Sequence, residues 1–287
     1  MAAAAQEPQR FISMPDPKDP SRQLFFLPPA SAESKAAGKE QESDLLDKFP
    51  LGPNLCDPET NAVPLVSLGC YCGPKLSFQK MGRGSETLPF DWLRSTIDGL
   101  LHFIRTDFGG FFDFVTQQTV PGCAAMTMYR SPHHSFWHDD PTDPSMHERY
   151  NRRFARFKAI DARTKPVLFV RVAVCTEELV KVPELCGELV RRYGQGLRLL
   201  VILNFQEKSQ GPAFVEGLPN LMLYYLSSEV HRSTSLAFGS PYVEPVRRGL
   251  DWAVGRQLQA HRFPHVEAAR AAGDESYWGH GGLGGLK

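Results

Sequence analysis

The sequence predicts an α/β protein built on a mainly parallel sheet flanked by helices, preceded by a disordered N-terminal arm. Three observations predict it. Short, continuous apolar runs recur at residues 63–69, 166–172, 199–204 and 221–226, the pattern of strands buried on both faces. Segments with helical spacing alternate with these runs, as right-handed crossovers between parallel strands require. The first ~60 residues are polar and rich in Pro, Ala, Lys and Glu, a composition that cannot bury enough apolar surface to offset ordering. We therefore expect residues 1–62 to be mostly disordered, 63–262 to form the α/β domain and 263–287 to be a flexible tail. No internal repeat is present.

The elements follow in order. Within the arm, Leu24–Leu27 is the one run apolar enough to dock on a surface. Val63–Gly69 reads as the first strand, with Pro64 at its start, where a missing N–H is tolerated. Cys70, Tyr71, Cys72 and Gly73 then form a tight turn, and Pro74 fits the first turn of a helix whose apolar face is Leu76, Phe78 and Met81, closed by Gly82. A second helix runs from Thr96 to about Phe108 and stops at Gly109–Gly110. Residues 115–145 read as an irregular loop containing His133, His134, His138, Asp139 and Asp140, and a loop of that length in a compact domain usually carries function or moves. A helix over 146–160 leads to the strongest strand, Pro166–Val172. Helix 176–193, strands 199–204 and 221–226, and helix 243–258 complete the domain.

The chain is neutral, with 32 Lys plus Arg against 32 Asp plus Glu, so no overall field favours nucleic acid or anionic lipid. No window approaches the ~18 apolar residues that span a bilayer, and the N-terminus lacks an apolar segment of signal-peptide length. The six cysteines do not form the dense framework of a small secreted domain, and several sit in apolar runs, which predicts a reducing, cytoplasmic setting.

In an open α/β sheet, ligands bind at the carboxyl ends of the strands. Cys72 falls there, at a helix N-terminus whose unpaired amides favour thiolate and can receive an oxyanion. The same position suits a small residue in a tight turn. Cys70 and Cys72 form a C-x-C pair, but no second pair supplies the four ligands of structural zinc. His138, beside Asp139, is the candidate general base, with His133 and His134 as alternatives. His134, His138 and Asp140 could equally be drawn as a metal site. Asp91, between Phe90 and Trp92, needs a partner and suits turn capping. Arg171, at the end of the strongest strand, suits either an anionic substrate or pairing with Asp91. Gly73 and Arg171 are the substrate-binding candidates, and no cofactor is called for.

Ser67-Leu68-Gly69 followed by Cys72, Pro89-Phe90-Asp91-Trp92, His138-Asp139 and Leu168-Phe169-Val170-Arg171 together resemble a family described as papain-like cysteine peptidases, over roughly residues 63–255. The resemblance implies a cysteine nucleophile at Cys72 with His138 as its partner. The leading expectation is a cysteine-dependent hydrolase or acyl transferase acting on a peptide or small molecule, with Asp139 or Asp91 orienting the imidazole. Two other classes stay open. One is a binding protein or transferase for an anionic small molecule, without a glycine-rich phosphate motif to support it. The other is a non-catalytic subunit that docks on a protein partner through its N-terminal segment.

Overall fold

The computed structural model describes residues 12–16, 19–26, 51–120, 123–173, 175–233 and 240–274. In chain order, the elements are β1 (Ile12–Asp16), β2 (Asp19–Phe26), α1 (Pro58–Asn61), β3 (Leu65–Ser67), α2 (Gly73–Lys80), β4 (Leu93–Ser95) and α3 (Ile97–Arg105). Next come β5 (Thr116–Val120), β6 (Cys123–Arg130), β7 (His134–Phe136), α4 (Pro144–Lys158) and β8 (Val167–Ala173). After a 3-10 turn at Thr176–Lys181 follow α5 (Val182–Tyr193), β9 (Leu197–Gln206), β10 (Gly211–Val215), β11 (Leu221–Ser227) and α6 (Ser228–Ser233). The chain ends with α7 (Val243–Ala253), β12 (His261–Phe263) and α8 (Val266–Ala272).

The six-stranded sheet has the order β12-β10-β11-β9-β8-β3. Strands β3, β8, β9 and β11 are mutually parallel, and β10 closes antiparallel on β11. The α/β, mainly parallel architecture is therefore present, with an antiparallel margin that the weakly apolar runs at 211–215 and 261–263 do not announce. Strand alternation sorts the core into two layers. Phe169, Leu199, Val201, Leu203 and Leu223 face one cluster, whereas Leu168, Val170, Leu200, Ile202 and Met222 face the other. Val246, Leu250 and Ala253 of α7 and Phe78 of α2 pack on that second layer. Gly249 lets α7 approach closely, because a Cβ there would lie 2.9 Å from Leu168 Cδ2.

Residues 115–145 are not the irregular loop expected. β5, β6 and β7 join β4 in a four-stranded antiparallel sheet of order β4-β7-β6-β5. The strand Thr-Gln-Gln-Thr-Val is polar on both faces, so no period of two marks it, and pairing rather than propensity makes it a strand. Helix α7 stops at Ala253 and not near 258, because Gly255 takes φ +84 and Arg256 N–H closes 2.9 Å onto Asp251 O, a Schellman ending.

Structure also continues past residue 262, where the flexible tail was expected to begin. Ala269 of α8 is fully buried and Tyr225 donates to its carbonyl at 2.6 Å, which ties the helix to the sheet. Residues 275–287 lie outside the described residues. So does most of the expected N-terminal arm, including Leu27, although β1 and β2 pair antiparallel within it. No helix among the described residues is long and apolar enough to cross a membrane.

Candidate active site

The turn from β3 into α2 is built from unusual backbone. Gly69 takes φ +70 and Cys70 φ +78, and a Cβ at Gly69 would meet Phe90 O at 2.9 Å. Glycine adopts that region freely, whereas Cys70 does so at a cost that the surroundings must hold in place. They do so through Ser95, whose hydroxyl accepts from Cys70 N–H at 3.5 Å and donates to Leu68 O at 3.4 Å. Cys72 follows as the N-cap of α2, with Leu76 N–H on its carbonyl at 3.0 Å and Pro74 in the first turn. The expected strand, turn and helix are thus present, and the first turn of α2 follows Cys72 directly.

The thiol itself is not exposed. Cys72 is 6% accessible and packs with Leu76 and Trp92, with Tyr71 against the cluster. Burial pushes the thiol up to about 12, opposed chiefly by the Arg94 guanidinium. Here the expectation of a thiolate favoured by helix amides is corrected, because desolvation of the charged sulfur outweighs the dipole. Cys70 is raised to about 12 for the same reason.

Gly73 lies beneath two rings. A Cβ on it would meet Tyr71 Cζ at 2.5 Å and Tyr242 Cε2 at 2.7 Å. The two tyrosine hydroxyls share a short hydrogen bond, and Asn204 Nδ2 donates to Tyr242 Oη at 2.9 Å. Gly73 thereby serves ring packing at the sheet edge, and its side-chain face is closed to a ligand.

The other wall comes from the antiparallel sheet. Trp92, just before β4, packs with Cys72 and receives the His138 ring edge-on at 6.3 Å between centroids. His138 follows β7, which pairs Arg94 with Ser135. Trp137 lies under the Arg94 guanidinium, with Cζ 4.2 Å from the ring centre, and donates its Nε1–H to Ser135 Oγ at 2.8 Å. The small sheet therefore brings Trp92, Arg94, Trp137 and His138 to the turn that carries Cys72.

The remaining candidates are committed elsewhere. His134 is buried, with Nδ1 2.6 Å from Ser131 Oγ and Nε2 2.7 Å from Phe111 O, and burial lowers it to about 4. His133 stacks on His102 at 4.0 Å. Asp139 accepts from Tyr150 Oη at 2.9 Å and Arg149 Nη2 at 3.2 Å, so both its oxygens face α4. Asp91 accepts from Leu88 N–H at 2.8 Å and pairs with Lys75 Nζ at 3.1 Å, which is the turn-capping role. Arg171 does not pair with Asp91. Its guanidinium, wholly buried, holds both Glu178 oxygens, Leu68 O and the hydroxyl and carbonyl of Ser95. Those bonds engage every N–H, so the guanidinium is not offered to an anionic substrate.

Among the described residues, no group of three or more His, Cys, Asp or Glu side chains is placed to hold a metal ion. The arrangement of His134, His138 and Asp140 is therefore not assembled as a site. Arg94 and the tyrosine pair escape sequence reading, because a single Arg inside Leu93–Ser95 and a Tyr 171 positions from Tyr71 carry no local pattern.

Residues 64–207 match the model of a family described as putative papain-like cysteine peptidases. The chain is also similar to "Uncharacterized protein R408" of Acanthamoeba polyphaga mimivirus, 28% identical over 139 residues. That match covers 39% of this chain and 62% of the viral protein, so it spans less than two thirds of that relative. No solved structure gives a significant match.

Proposed function

Because this chain belongs to the family described as putative papain-like cysteine peptidases, we propose that it is a cysteine-dependent hydrolase or acyl transferase with Cys72 as nucleophile and His138 as base. The observation that supports this reading most is the shared indole of Trp92, which packs with Cys72 and makes a T-shaped contact with His138. A thiol that gives its proton to an imidazole as it attacks is an activatable nucleophile that needs no resting thiolate.

In this reading the Cys72 proton passes to His138 as Sγ attacks the substrate carbonyl carbon. The carbonyl electron pair moves to oxygen, facing the first amides of α2. Collapse of the adduct expels the amine or alcohol, which takes the proton from His138, and water or another acceptor then resolves the thioester. Neither Asp139 nor Asp91 has a part, since both carboxylates are engaged by other cations. Peptides and small acyl compounds are the substrates this reading proposes, and the free thiols of Cys56, Cys70, Cys72, Cys175 and Cys186 suit a reducing compartment.

A second reading is favoured by the 6% exposure of Cys72, a sealed position that also suits a non-catalytic subunit. Treating the full chain with an acylating peptide probe and mapping the adduct by mass spectrometry separates the two. The catalytic reading expects acylation at Cys72, abolished in C72A and slowed roughly 100-fold or more in H138A. Acylation spread over several cysteines and indifferent to H138A would sink it.

A further inference from the structure

Trp92 lies one residue before β4 and packs with Cys72, and two residues on Arg94 sits in β4 with its guanidinium over Trp137, the residue before His138. Leu93 turns into the core and Ser95 toward Leu68. His138 meets Trp92 at 6.3 Å between ring centres, so Arg94, Trp137, His138 and Trp92 form one cluster that ends on Cys72. The Arg94 guanidinium is fixed there by a second element, lying 4.2 Å over Trp137, whose own indole is held by Ser135. A cation stacked on an indole keeps its plane and loses water from one face without losing its charge.

The charges around this group come from three elements. Burial lowers Arg94 from its ordinary value, the thiols of Cys70 and Cys72 and the Tyr71 hydroxyl act on it in the opposite direction from the β3–α2 turn, and Arg130 adds to the lowering from β6. His138 approaches the same cluster from the end of β7 through Trp92. For Cys70 the nearer influences are Arg171, opposed by Glu178. For Cys72 the leading cation is Arg94.

Taking Cys72 as the nucleophile, as the reading above does, we propose that Arg94 is the residue that holds the negative charge of the Cys72 thiolate. The need is physical. A sulfur with little access to water cannot be solvated when it loses its proton, so its charge requires a fixed cation in place of solvent. His138 acquires a charge only after accepting the proton, and that charge leaves with the proton when the leaving group departs. Arg94 is charged throughout, and acts through Cys72 as a positioning residue for its ionised form.

The test is the rate of Cys72 alkylation by iodoacetamide in the folded full chain, followed by peptide mass spectrometry, in the C70A background so that one thiol of the turn remains. Rates are compared across alkaline pH for the Arg94 parent, R94Q and R94K, each checked for native circular dichroism. R94Q is expected to alkylate roughly tenfold more slowly at any one pH, the effect of a neighbouring charge worth about one unit. R94K, which restores charge without the planar stack, is expected to recover most of that loss. Equal rates in the parent and R94Q overturn the proposal, and so does a slow R94K indistinguishable from R94Q, which would mean that packing alone matters. Alkylation reports ionisation whether or not the protein turns over a substrate, so this result and the acylation result above fail independently.

Discussion

Arg171 and Glu178 form a bidentate ion pair at the carboxyl edge of the parallel sheet, with the guanidinium at 0% and the carboxylate at 8% side-chain exposure. The same guanidinium reaches Leu68 O and both polar groups of Ser95, and so ties β8 to the end of β3 and to β4. Replacing Arg171 with Met leaves Glu178 charged and buried, which costs about 3–5 kcal/mol. R171K is expected to recover less than half, since an ammonium cannot match the planar fork. Urea midpoints at neutral pH measure both, and a loss under about 1 kcal/mol in R171M would show that the pair is dispensable.

Lys75 and Asp91 make a second buried pair, 3.1 Å apart. Lys75 also donates to Gly84 O at 2.6 Å and to Glu86 O, which pins residues 84–91 to the helix that begins at Cys72. K75M strands a buried carboxylate and is expected to cost about 3 kcal/mol or more, whereas the double variant K75M/D91L recovers much of it. Additive losses in the double-mutant cycle would contradict the pairing.

His134 makes stability depend on pH. Its native value of about 4 lies below the ordinary ~6.5 of an unfolded histidine. The unfolded chain then binds the proton more readily, so the contribution is complete above ~6.5 and is lost as pH falls toward 4. The total is on the order of 3 kcal/mol. Denaturant titrations near pH 7 and pH 4.5 should show a smaller decline for H134Q than for the parent chain, and parallel declines would count against this assignment.

For Cys72, burial holds the thiol up to about 12. Its alkylation in the native chain should therefore climb about tenfold per pH unit through the alkaline range, without levelling near neutrality. In denaturant the same residue should level near the ordinary ~8.5 of a free thiol. A plateau near pH 7 in the native chain would restore the helix-dipole expectation.

Much of the fold was readable because buried parallel strands are apolar on both faces. Residues 63–69, 166–172, 199–204 and 221–226 each fall on a strand of the sheet, and Thr96 caps its helix by accepting from Gly99 N–H at 2.9 Å. The capping role of Asp91 was also legible, since a carboxylate between Phe90 and Trp92 has few other uses. The antiparallel sheet was not, because Thr116–Val120 owes its conformation to its neighbour. Nor were the ion pairs. Glu178 follows Arg171 by seven residues, but only the 3-10 turn after β8 brings it back over the strand.

The sheet order places β3 at an edge, three residues long and, among the described residues, paired only with β8. Its partner arrives after residues 68–166, so docking β3 closes a very long loop for few ladder bonds. The resulting hierarchy is kinetic: β8, β9 and β11 can assemble without β3, and the edge strand is the cheapest part of the parallel sheet to release. A transient opening of that edge would carry the β3–α2 turn with it, giving a sealed sulfur intermittent contact with water while the rest of the molecule stays folded. Amide hydrogens of Leu65–Ser67 are accordingly expected to exchange faster than those of Val167–Ala173.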